Sequence, residues 1–333
     1  MREGDHVESR LITPDDLDAC TEWSLVHSRA IARDTPWHCS LHPRRVQWMA
    51  SRELGAPELR VHHVDGVAVA VSQLQVGYWA NQDVATGEVM VDPEHRRMGL
   101  GTQVIRGLEK RAEGLSCRRL VFDGRDLPAT REFADRNGYA VDLAGLARCL
   151  HLSKVDWDDF SALLSSAATQ SADYEFLRLS GPTPAEFLPG LVEVFNALKD
   201  APVGAAPLEE DVFNAERIHS TERHYSGPEN RFWQIIARHR RSGELVGHTV
   251  VVVDSLTPTH AEQHETSVKR KHRGHRLGLR LKAEMLALLQ AEEPQLEAIT
   301  TWNAKDNVHM GRVNDELGFE VMSEWIDVQR GLC

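Results

Sequence analysis

Glu88-Val89-Met90-Val91-Asp92-Pro93-Glu94-His95-Arg96-Arg97-Met98-Gly99-Leu100-Gly101-Thr102 is the stretch whose reading settles the fold. Val89 to Val91 form a short apolar run, as in a buried strand. Asp92-Pro93 ends it, because proline has a fixed φ and no N–H to give a ladder or a helix. From Leu100 onward the apolar residues Val104, Ile105, Leu108 and Ala112 recur at helical spacing. Residues 96–101 therefore lead into a helix N-terminus, which carries about half a positive charge. Gly99 and Gly101 let main-chain N–H groups approach a ligand with no Cβ in the way. With Arg96 and Arg97 beside them, the stretch reads as an anion site.

The pattern returns further along. Glu265-Thr266-Ser267-Val268 leads through Arg273-Gly274-His275-Arg276-Leu277-Gly278 into a second apolar-faced helix, with Glu265 as far ahead of Leu277 as Glu88 is of Leu100. Other landmarks keep the same order. Thr13-Pro14-Asp15-Asp16 and Thr183-Pro184-Ala185-Glu186 read as helix starts. Asp65-Gly66 and Ser242-Gly243 read as hairpin turns. Gly138-Tyr139 and Gly318-Phe319 close a short helix and enter a strand. The separation between corresponding landmarks stays nearly constant along the chain, which scattered turns would not do. A duplicated unit of helix, hairpin, loop-bearing strand, helix, strand, helix and strand follows. Its domains are expected at 1–152 and 174–333, with the polar, serine-rich stretch 153–173 as linker.

Length and composition agree with two domains: 333 residues, 41% of them hydrophobic, supply two cores. A formal net charge of -12 argues against general nucleic-acid binding. Five scattered cysteines without a Cys-x-x-Cys pair suggest a reduced compartment and no structural zinc. The polar opening residues and the lack of a run near the ~20 apolar residues of a membrane span lead to the expectation of a cytoplasmic protein without membrane contact. The 17 histidines include His260 with His264 and His219 with His224, but neither pair has a helical carboxylate partner, so no metal is expected. The basic run 269–276 is placed by the repeat at a cofactor phosphate rather than at nucleic acid.

Arg-x-x-Gly-x-Gly at 96–101, the element order around it and the closing Gly-Tyr and Gly-Phe resemble the GNAT superfamily of acyl-CoA N-acyltransferases, twice, across nearly the whole chain. The resemblance implies an α/β fold with a mixed (α+β) sheet, built as two tandem GNAT-like domains. It implies acetyl-CoA or another acyl-CoA as co-substrate, a small-molecule amine as acceptor, and a monomer or homodimer. In the first copy Val89, Met90 and Val91 would hold the pantetheine arm, and Arg96, Arg97, Met98, Gly99, Leu100, Gly101 and Thr102 the diphosphate. In the second copy Val268, Arg273, Gly274, His275, Arg276 and Gly278 take these roles, with Asn307 where the family places an asparagine against pantetheine.

Neither copy follows the family throughout. The tyrosine that usually protonates the departing thiolate is replaced by Ala134 in one copy and Asn314 in the other, and Leu127 stands at the first copy's asparagine position. Arg276 occupies the place of Gly99, which changes either the loop's backbone or its charge. An alkyl ammonium with a pKa near ~10.4 is less than ~0.1% neutral at pH 7, so acyl transfer to it needs a base. Glu88 and its equivalent Glu265, each at the head of its pantetheine strand, are the candidates. His264 would point to the opposite face of a regular strand from Glu265. The intact loop favours the first copy as the catalytic one. The competing reading, motivated by the two missing tyrosines, is a non-catalytic acyl-CoA sensor.

Overall fold

The computed structural model describes residues 7–53, 55–196, 212–227 and 230–332. The polar opening residues and Cys333 lie outside them. Two compact units emerge, and each combines antiparallel strand pairs with one parallel pair. Neither corresponds to one uninterrupted repeat: the first comprises described residues 7–144 and 325–332, the second 145–196 and 212–324.

The first unit opens with β1 (Glu8–Leu11), α1 (Leu17–Asp34) and α2 (Pro43–Ser51). There follow β2 (Glu58–Val64), β3 (Val67–Val76), β4 (Val84–Val91), α3 (Leu100–Gly114), β5 (Arg119–Arg125) and α4 (Pro128–Arg136). The strand β6 (Ala140–His151) then carries the chain into the second unit. β1 to β5 lie in sequence order, antiparallel except for the parallel β4–β5 pair. Asp65 and Gly66 both have positive φ, 50° and 78°, as a tight hairpin turn between β2 and β3 requires. The last strand of this sheet comes from the far end of the sequence. In β12 (Glu320–Gly331), residues Trp325–Gly331 run antiparallel to β5.

The second unit repeats the plan after α5 (Trp157–Gln170): β7 (Tyr174–Ser180), α6 (Leu188–Asn196), α7 (Ala215–Ser226), β8 (Asn230–His239) and β9 (Leu245–Asp254). β10 (His260–Val268), α8 (Leu277–Glu292), β11 (Ala298–Ala304) and α9 (Val308–Glu316) complete it. Its sheet is closed by residues 145–151 of β6, antiparallel to β11. The stretch 153–173 is mostly α5, capped by Asp156, and it buries Phe160 and Ala167 in the second unit's core.

Two helix starts fall later than their sequence signals. α1 begins at Leu17, capped by Asp16, whose side chain accepts from Ala19 N at 3.1 Å; Thr13-Pro14 forms the turn before it. Pro184 likewise sits in a turn, closed by Phe187 N–H donating to its carbonyl at 2.9 Å, ahead of α6. In both cases the turn uses the proline's fixed φ, and the helix waits for the next apolar residue.

In the first unit each sheet face has its own core. Leu108, Leu120, Phe122, Ala134, Ile326 and Val328 pack on the side of α3 and α4. On the other side Ala19, Trp23, Val26 and Val46 of α1 and α2 pack on Leu59, Val61 and Val71, with Met90 against them. Burying each such aliphatic side chain contributes roughly 1.5–3 kcal/mol. These cores hold the strands and fix which β4 residues face which way. No helix among the described residues is long and apolar enough to cross a membrane.

Candidate active site

In both units the parallel pair at the sheet centre comes apart halfway along. β4 pairs with β5 only from Val84–Gly87 to Arg119–Phe122. β10 pairs with β11 only from His260–Gln263 to Ala298–Thr301. Beyond those points the β4 edge at Val89, Met90 and Val91, and the β10 edge up to Val268, have no neighbouring strand on that side among the described residues. Such an edge carries N–H and C=O groups that an extended, amide-bearing arm can pair with.

Each open edge runs into a loop and a helix start. In the first loop Arg97 (φ 65°) and Gly99 (φ 82°) are left-handed, and α3 begins at Leu100. In the second, Gly274 (φ 89°) and Arg276 (φ 54°) are left-handed, and α8 begins at Leu277. Counted back from the two helix starts these are equivalent positions, with glycine and arginine exchanged between them. The backbone bends are thus alike, and the replacement of glycine by Arg276 changes the charge and leaves the bend. A non-glycine residue in this conformation costs roughly 1–2 kcal/mol. A Cβ placed on Gly99, Gly274 or Gly278 would meet nothing within 4 Å, so the space in front of these amides is open. A diphosphate fits such a bend.

The arginines divide their work. Arg96 Nε donates to the Val91 carbonyl at 3.0 Å, and its two terminal nitrogens bind both carboxylate oxygens of Asp34 at 2.8 and 2.7 Å. Arg273 Nε makes the same bond to the Val268 carbonyl at 3.1 Å. Both side chains therefore staple the loop to the end of its strand. Arg97 is exposed, has no ion-pair partner among the described residues, and is the first loop's available cation. In the second loop Arg276 pairs with Glu316 of α9. Met98 and Thr102 flank the first bend, His275 lies beside Tyr174 at 5.7 Å between ring centroids, and Asn307 caps α9 by accepting from Met310 N at 3.2 Å.

Glu88 is the first β4 residue past the parting. Its partner on β3 is Gln73. On the other side its register neighbour is Asp123 of β5, one step beyond the Gly87–Phe122 pair, and Asp123 is directly paired with Asp327 of β12. Three carboxylates thus stand in a row across three strands, on the sheet face opposite the Phe122, Ile326 and Val328 core. Desolvation, and next the neighbouring Asp123, push the half-buried Glu88 up to about 7. Desolvation also raises Asp123, although its side chain keeps contact with solvent. Asp327 is pushed up to about 6 by desolvation, then by Asp123 and Asp142. Like charges this close resist ionising together, so the row attracts a cation and leaves Glu88 with a proton affinity suited to a base at neutral pH.

The second unit places Glu265 differently. Its carboxylate accepts from the buried Tyr225 hydroxyl, at 2.7 and 2.6 Å to its two oxygens. His264 packs against the same ring, 4.5 Å between centroids. The expectation that His264 and Glu265 point to opposite faces is therefore corrected. The β9–β10 register shifts between Gln263 and Thr266, and this bulge breaks the strict alternation and brings both side chains to Tyr225. Where the first unit pairs Asp123 with Asp327, the second pairs Trp302 with Ala147. No acidic row forms there.

Sequence reasoning singled out Glu88 and both loops and did not single out Asp123, Asp327 or Tyr225. Asp123 is recoverable by counting from Phe122 once the β4–β5 register is known. Asp327 is not, because nothing local signals that residues 325–331 complete the first unit's sheet. Among the described residues, no group of three or more His, Cys, Asp or Glu is placed to hold a metal ion.

Comparison with known proteins fits this geometry. The model of the acetyltransferase (GNAT) family matches residues 24–139. A mycothiol acetyltransferase of Stackebrandtia nassauensis is 26% identical over 278 residues, covering 81% of each chain. A tandem GNAT protein from the clavulanic acid biosynthesis pathway superposes with a TM-score of 0.80 at 23% identity, over 98% of this chain and 99% of its own. A GCN5-related N-acetyltransferase from Sphaerobacter thermophilus gives 0.70 at 14% identity, over 99% and 96%. Residues 24–139 thus match the acetyltransferase (GNAT) family, and the chain as a whole has the fold of a tandem GNAT protein.

Proposed function

We propose that the protein transfers an acetyl or other small acyl group from acyl-CoA to the amine of a small cationic molecule, and that the first half carries the chemistry. The observation behind this is Glu88: it stands where β4 and β5 part, beside Asp123 and Asp327, and is pushed up to about 7. The open β4 edge and the bend at Arg97–Gly99 hold the carrier, whose thioester supplies an electrophilic acyl carbon. Asp123 and Asp327 draw in the ammonium, Glu88 takes its proton, and the nitrogen lone pair attacks the acyl carbon; the C–S bond then breaks and the coenzyme A thiolate takes up a proton from solvent. One relative is named for mycothiol and a structural neighbour comes from a clavulanic acid pathway, which favours a metabolite as acceptor.

The second half binds acyl-CoA on this reading without turning it over, since Glu265 is engaged by Tyr225 and the equivalents of Asp123 and Asp327 are Trp302 and Ala147. The test is thiol release from acetyl-CoA with a panel of mono- and polyamines. We expect turnover with cationic amines, abolished by Glu88→Gln and kept by Glu265→Gln. Turnover that survives Glu88→Gln and disappears with Glu265→Gln would move the chemistry to the second half.

A further inference from the structure

A buried lysine stands in the second half where the first has hydrocarbon. Lys282 lies on α8 and is 4% exposed. Counted from the helix starts at Leu277 and Leu100, its equivalent in the first half is Ile105, in the core beside Leu108. Removing an ammonium from water costs several kcal/mol unless it is paired. No carboxylate among the described residues pairs with this one: Nζ donates to Asn314 Oδ1 at 2.6 Å and lies 5.0 Å from the Phe319 ring centroid. The charge that acts on it is that of Arg148, which repels. Burial, then Arg148, bring it down to about 7. The cavity beside its stem is ≈10 Å³, room for no more than a single water.

The hydrogen bonds run on from there in one direction. Nζ donates to the Asn314 oxygen, which leaves the Asn314 amide nitrogen turned away from Lys282. That nitrogen donates to Asn303 Oδ1 at 3.2 Å, and Asn303 Nδ2 donates to the Ala304 carbonyl at 2.9 Å. Asn303 and Ala304 lie on β11 just past Thr301, the last residue paired with β10. The chain of donors therefore starts at a buried cation in the helix and ends on the far lip of the opening. In the first half the equivalents of Asn314 and Asn303 are Ala134 and Gly124, and no such chain exists there.

We propose that Lys282 is a positioning residue for acyl-CoA in the second half: by orienting Asn314, and through it Asn303, it holds the β11 side of the opening in the shape that accepts the carrier. The inference rests on the reading that this half binds acyl-CoA. It assigns a use to a buried cation that packing alone does not require, since methionine fills a similar volume without the desolvation cost.

The experiment is calorimetric titration of the full chain with acetyl-CoA in the absence of acceptor. Wild type takes up two equivalents. Lys282→Met keeps the first binding event and weakens the second by about tenfold or more, a loss of ~1.4 kcal/mol. Asn303→Ala, at a half-buried site nearer the opening, gives the same selective loss without disturbing the core. Lys282→Met/Asn314→Leu, which replaces both partners by apolar groups, keeps the wild-type melting temperature and still lacks the tight second event. Two equivalents bound with unchanged affinity by Lys282→Met would overturn the inference, as would recovery of the second event in the double variant. A single equivalent in the wild type would instead overturn the reading of the second half itself, and the inference with it.

Discussion

The two halves share a backbone and differ in where they keep charge. In the first, charge lies on the open sheet face: Glu88, Asp123 and Asp327 stand abreast past the strand parting, and Arg97 is exposed at the bend. In the second it is drawn into partners or the interior: Glu265 under Tyr225, Arg276 against Glu316, Lys282 beneath the helix. Both halves keep the same main-chain features, the left-handed pair and the open strand edge. Side-chain chemistry was free to diverge, because a bend that binds through N–H groups does not depend on which residue occupies it. The exchange of glycine and arginine between positions 97/99 and 274/276 shows that freedom directly.

The sharpest way to break this comparison is to neutralise the two glutamates in turn. Glu88→Gln is expected to lower kcat/KM at pH 7 by roughly 10²–10⁴-fold, the range of general-base catalysis, and Glu265→Gln to leave it nearly unchanged. Thiol-release kinetics decide it. Next in size is the loop: Arg97→Glu should weaken the first binding event in an acetyl-CoA titration by about 1.5–3 kcal/mol, as for a charge-assisted contact, and leave the second alone.

The pH dependence sharpens the assignment further. A base at about 7 makes kcat/KM rise through neutrality, and Asp123→Asn, by removing a negative neighbour, should move that rise to lower pH. Stability runs the other way. Folded Glu88 keeps its proton up to about 7, whereas the unfolded chain loses it near the ordinary value of 4.5. Between those limits the native state binds more protons, so this group's contribution falls as pH rises. Glu88→Gln should therefore melt higher than wild type at pH 8, with little difference at pH 4.5. The smallest effect is expected from Arg276→Gly. Relief of a left-handed arginine, ~1–2 kcal/mol, is offset by loss of a surface pair worth ~0–1 kcal/mol, so melting shifts by no more than a few degrees.

Much of the fold was legible because local signals and periodicity agreed. Asp65-Gly66 and Ser242-Gly243 form the hairpin turns their residues suit, and the Arg96 and Arg273 loops stand at helix starts. Helix starts were misjudged at Thr13 and Thr183, where proline served a turn instead. The site was half legible. Glu88 follows from its place on the strand, but its neighbours depend on long-range register. The bulge that joins His264 to Glu265 at Tyr225 has no signal in an alternating pattern. Arg96, which reads as a phosphate ligand, is taken by Asp34, a partner far back along the chain at the end of α1.

Residues 325–331 complete the sheet that begins at Glu8, and residues 145–151 complete the one that begins at Tyr174. During synthesis the earlier sheet must wait with a raw edge beside β5 until residues 325–331 have left the ribosome. Cutting the gene between the repeats would leave each fragment without the strand that seals it, so two separately expressed pieces should be sticky and should regain solubility only when produced together.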